Sequence, residues 1–145
     1  MRRTILAGVL SIALVTPIAS QAPPLSRPVG TMSDLMVKII YPSSDALFYI
    51  ETRLPKSDSE WTVLQGQALM VAESATLLML PSRMRDRDQW MQDAKLMLDA
   101  AEIAYQAALK KDVAGIVAVN DQLVASCTTC HRHYRPNYGR GGQAR

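Results

Sequence analysis

Aromatic residues are scarce in this chain: one Phe, two Trp and five Tyr make up 6% of its 145 residues. Aromatic packing therefore does not dominate the core. Cysteine and histidine are scarcer still, with two of each. No segment alternates apolar and polar side chains at a period of two, so the strand signal is missing, and with it the case for sandwiches, barrels and parallel sheets. Lys and Arg form no stripe and meet no aromatic-rich strand pattern, so nothing supports nucleic-acid binding. No carboxylate pair, nucleophile–base set or phosphate-binding loop is evident, and an enzyme is not expected. There is no convincing internal repeat.

Long apolar runs are missing as well. The uncharged stretch from Ile5 to Val15 has eleven residues, short of the about 20 that a spanning helix needs. Arg2 and Arg3 precede it, and the small residues Ala19, Ser20 and Ala22 follow it. This is the pattern of a secretory signal peptide, expected over 1–20; an uncleaved anchor is the rival reading. Without Arg2 and Arg3, the fourteen remaining Lys and Arg exceed the thirteen Asp and Glu by one. The basic balance of the full chain is thus partly the leader's. Export implies a periplasmic protein with no stable membrane span after processing. It also implies that two thiols in an oxidising compartment do not stay free.

What is present is helical. This length suits one domain. Residues 21–30, QAPPLSRPVG, hold three Pro and one Gly and read as an irregular leader. A domain is expected over 31–136 and a flexible tail over 137–145. Thr31 and Asp34 have capping-box spacing, and Met32, Met36 and Ile40 follow four apart. Pro42 interrupts, so this element is one kinked helix or two short ones. Ser57 to Glu60 is a second capping box ahead of Trp61, Leu64, Ala68, Val71, Ala75 and Leu78, and Pro81 stops that helix. A third opens near Asp86 or Asp88, with Trp90, Ala94, Met97, Ala101, Tyr105 and Ala108 on its stripe. Asp112 caps a fourth. Amphipathic segments with short links predict an all-α fold, an antiparallel four-helix bundle.

Both cysteines and both histidines fall within SCTTCHRHYR, residues 126–135. Cys127-Thr-Thr-Cys130-His131 is CxxCH, the c-type haem attachment pattern. On a helix, positions i, i+3 and i+4 share a face, so two thiols can meet the two vinyl groups of one haem while the imidazole reaches its iron. Three rivals weigh less. A redox CxxC lacks βαβ context. A zinc site would crowd four ligands into seven residues. A disulfide fits helical i, i+3 geometry poorly. The expectation is one covalent haem c on the C-terminal helix, with His131 as the proximal iron ligand. His133, two positions on, is expected to point elsewhere and to be exposed.

The stretch 127–135 reads CxxCHxxYR on the last helix of an expected four-helix bundle. It resembles the class II cytochromes c, the cytochrome c′ and cytochrome c-556 group. The resemblance spans about 31–136 in architecture and rests on 127–135 in specific residues. It implies a periplasmic monohaem protein whose distal residue comes from the first helix. Low-spin members carry Met there, and cytochromes c′ carry Leu or another non-ligand. Met36, in a Leu-Met pair, is the expected distal ligand, with Met32 as fallback. The rival is that both fill the core, since Met suits irregular gaps. Met32 stands where many cytochromes c′ have Arg, and Pro42 breaks a helix that is usually longer. Arg135 is a candidate propionate or proximal contact.

The function expected is electron transfer through a low-spin His/Met haem, with a redox partner protein. The alternative is a five-coordinate protein that binds NO or CO at the distal face. Members of the group are often dimers, but no long apolar stripe here enforces a homodimer. Trp61, Trp90 and Tyr105 are expected in the core or the haem wall. The methionines at 70, 79, 84, 91 and 97 are expected as packing or surface residues.

Overall fold

Thr31 opens the first helix as its spacing predicts. Its hydroxyl accepts from the Asp34 N–H at 3.0 Å, and the Asp34 carboxylate accepts from the Thr31 N–H at 3.0 Å. In the computed structural model, which describes residues 27–137, α1 then runs unbroken through Met32–Leu35, a π turn at Met36–Ile40, and Tyr41–Phe48. The expected leader peptide, most of the irregular segment and nearly all of the tail lie outside the described residues.

Pro42 sits just behind that π turn. Its ring crowds the preceding turn and it has no N–H to donate. The wider turn, closed by the Tyr41 N–H to the Met36 carbonyl, carries the helix past the obstacle. The element is therefore one helix with a shifted register. Its buried positions step by five from Leu35 to Ile40, then continue at Ser43, Ser44 and Leu47.

Three longer helices follow. α2 spans Asp58–Leu78, α3 spans Gln89–Leu109 and α4 spans Val113–Tyr134. Ser57 caps α2 by accepting from the Glu60 N–H at 3.2 Å. Asp86 serves α3 from ahead of its start, one carboxylate oxygen accepting from the Trp90 N–H at 3.0 Å. Asp112 caps α4 by accepting from the Gly115 N–H at 2.9 Å. A Cβ on Gly115 would lie 2.5 Å from the other Asp112 oxygen, so only glycine lets this cap close undisturbed.

Cross-helix bonds fix the directions. Lys111 pairs with Asp58, Gln65 donates to the Ala108 carbonyl, and the Trp90 indole N–H donates to the Leu78 carbonyl at 2.7 Å. The start of α2 thus meets the end of α3, and its end meets the start of α3. Asn120 on α4 donates to the Leu47 carbonyl at the end of α1. The described residues form an all-helical bundle of four helices with no strand, as the missing alternation predicted.

The core is rich in small residues. Ala100, Ala101, Ala104 and Ala108 on α3 are fully buried, which lets α2 and α4 approach closely on either side. Leu47, Ile50, Ile116 and Leu123 supply the bulk. By length and composition α4 could cross a membrane. In the bundle it packs against α3 and α1 and buries Ile116, Val119, Leu123 and Ser126.

Candidate functional site

Cys127, Cys130 and His131 lie on the last two turns of α4. Cys130 and His131 line a cleft of about 340 Å³. Met32, Met36 and Val37 of α1 line the same cleft, as do Trp90 of α3 and Arg85 of the link before it. Tyr134 and Arg135 close the α4 side. Of the residues singled out from the sequence, Met32, Met36, Cys130, His131 and Arg135 therefore come together. Cys127 is half-buried one turn earlier and does not line the cleft.

Two further expectations are refined. Trp90 lines the cleft, whereas Trp61 is buried in the core and Tyr105 is half-buried against it. Met97 is buried, Met79, Met84 and Met91 pack against the core, and Met70 is exposed.

The electrostatics run against a thiol-exchange site. Burial, and then the Asp93 carboxylate and Cys127, push the Cys130 thiol up to about 11; burial pushes Cys127 up as well. An exchange motif needs depressed thiols. Nor do three or more His, Cys, Asp or Glu side chains converge as a metal-binding group among the described residues. Burial, and then the Arg135 charge, hold His131 below the ordinary imidazole value. Its neutral form, the one that ligates a metal, therefore prevails at neutral pH.

The turn that carries His131 is held by side chains from α3 and from the link before it. Tyr134 stacks edge-on against Trp90, with ring centroids 4.8 Å apart at 73°, and its hydroxyl donates to Asp86. His133 is 42% exposed but not idle. Its Nδ1 lies 2.7 Å from Oδ2 of Asp93, whose side chain is 1% exposed. The bystander expected at His133 is thus a partner of a buried carboxylate. Asp93 and Arg85 were missed from the sequence. Asp93 had a signal, since it stands beside Ala94 on the apolar stripe that runs from Trp90 to Met97. Arg85 had none beyond being a cation in a link.

Imidazole and thioether are donor types that haem iron accepts, and His131, Met32 and Met36 bring them to one cleft beside the Cys130 thiol, with Cys127 one turn away and outside it. No family model, curated protein or solved structure matches the chain.

Proposed function

We propose that the protein is an exported monohaem c-type cytochrome of the class II kind that carries electrons in the periplasm. Cys127 and Cys130 would hold haem c through thioethers, and His131 and Met36 would be its iron ligands. Met32 is the substitute for Met36, and Arg135 is the contact for a propionate or the proximal side. Bound haem supplies one-electron exchange, at a potential that an axial thioether raises. The observation that carries the reading is the shared cleft. Met36 and Met32 enter it from the first helix, and Cys130 and His131 from the last.

The chain's own residues do the rest. Burial, and then the Arg135 charge, favour the neutral imidazole of His131, the form that ligates a metal. Trp90, Val37 and the two methionines give the cleft its apolar wall. No substrate bond is made or broken, and the partner is another redox protein.

A second reading has its own support. Met32 and Met36 both pack against the core cluster. If they only fill space, the distal face is apolar and open to NO or CO.

Covalent attachment is tested by expressing the full chain with its leader in cells that mature c-type cytochromes. The purified protein should retain one haem after denaturation, and Cys127→Ala with Cys130→Ala should lose it. A wild-type chain that releases its haem on denaturation would overturn the reading.

A further inference from the structure

Asp93 is a charged side chain in the core, with 1% of its surface exposed. A buried carboxylate is retained at a cost unless its oxygens find donors. Both do. Oδ1 accepts from the Gln89 amide at 3.0 Å, one turn back on the same helix. Oδ2 is 2.7 Å from Nδ1 of His133 on α4. A carboxylate oxygen accepts, so Nδ1 carries the hydrogen. The bond from His133 is the contact that ties Asp93 to another helix.

His133 stands two residues beyond His131. On a helix two residues are about 200° of rotation, so the two imidazoles point to opposite sides of α4. One is anchored on α3 and the other lines the cleft. With the anchor set, the last turn of α4 cannot rotate without breaking a charge-assisted bond in the core. The Asp93 charge is also felt at Cys130, where it adds to the upward shift of the thiol. The anchor is therefore close to the attachment face.

We infer that Asp93 is a positioning residue for the site. Acting through His133, it sets the rotation of the last turn of α4, and with it the direction in which His131 meets its ligand. Trp90 and Asp86, both on Tyr134, hold the same turn, but neither grips the side of the helix opposite His131. The inference rests on the haem reading above.

The test substitutes the half-exposed partner and leaves Asp93 itself in place. His133→Ala removes the anchor. His133→Asn restores an N–H at the same distance along the side chain. Two readouts are taken on the full-length exported protein. Amide hydrogen exchange of residues 130–134 should quicken about tenfold or more in His133→Ala and return to within about threefold of wild type in His133→Asn. Electron paramagnetic resonance of the ferric protein should give one homogeneous signal in wild type and His133→Asn, and a mixture in His133→Ala. Exchange unchanged in His133→Ala would overturn the inference. So would a covalently loaded chain whose ferric signal ignores the substitution, since the contact would then be structural only. Absence of covalent haem would instead overturn the reading beneath it.

Discussion

Met36, on the π turn of the first helix, and His131, on the last turn of the fourth, line one cleft. The π turn matters to this meeting. Up to Met36 the helix presents Met32 and Met36 to the cleft. Beyond it, the register shift lets Ile40, Ser43, Ser44 and Leu47 stay buried. A regular helix through Pro42 would have set one end against the other.

Gly66 lies in the interior of α2, exposed, and a Cβ there would meet nothing within 4 Å. It costs helix propensity and gives nothing visible in return. Gly66→Ala should raise stability by about 0.5–1 kcal/mol. Urea unfolding should show a higher midpoint at unchanged slope.

Lys111, one residue past Lys110, the C-cap of α3, has φ at 56°, in the left-handed region. Its N–H donates to the Ala108 carbonyl, and the Asp112 N–H to Ala107, the bonding of a helix end that favours glycine. Its ion pair with Asp58 is exposed on both sides and contributes little. Lys111→Gly should therefore stabilise the fold by roughly 0.5–1 kcal/mol despite losing the pair. Thermal unfolding of the two proteins checks the sign.

The bond from the Tyr134 hydroxyl, and then the Trp90 N–H, hold the Asp86 carboxyl below the usual carboxylate range. A depressed carboxyl contributes stability that is present above its unfolded value, about 3.9, and lost as pH falls through the folded value. Tyr134→Phe removes the largest cause. The mutant should lose stability near neutral pH and show a shallower loss between about pH 4 and the acid limit. Denaturation midpoints across that range measure it; identical acid limbs would contradict the assignment.

Much of the bundle was legible because it rests on local rules. Thr31, Ser57 and Asp112 cap the helices they precede, and Trp90, Ala94, Met97, Ala101 and Ala108 are buried as their spacing requires. The π turn was not legible, because periodicity reads an ideal helix and a proline reports only an obstacle. In the site, Cys127, Cys130 and His131 are marked by spacing alone. The companions that gather around them depend on tertiary placement. Asp93 stands on the apolar stripe of its helix, but its partner His133 comes from another helix, and only the bundle brings the two together. Arg85 reaches the cleft from a link whose path no local pattern determines.

The proposed pairing of His131 and Met36 on one iron has a direct spectroscopic signature. Optical spectra of the purified mature protein, ferric and ferrous, with and without carbon monoxide, test it most directly when wild type is set beside Met36→Ala and Met32→Ala. The wild type should be low-spin and resist carbon monoxide, Met36→Ala should turn high-spin and bind it, and Met32→Ala should behave like wild type. A wild type already high-spin and open to carbon monoxide would contradict the pairing.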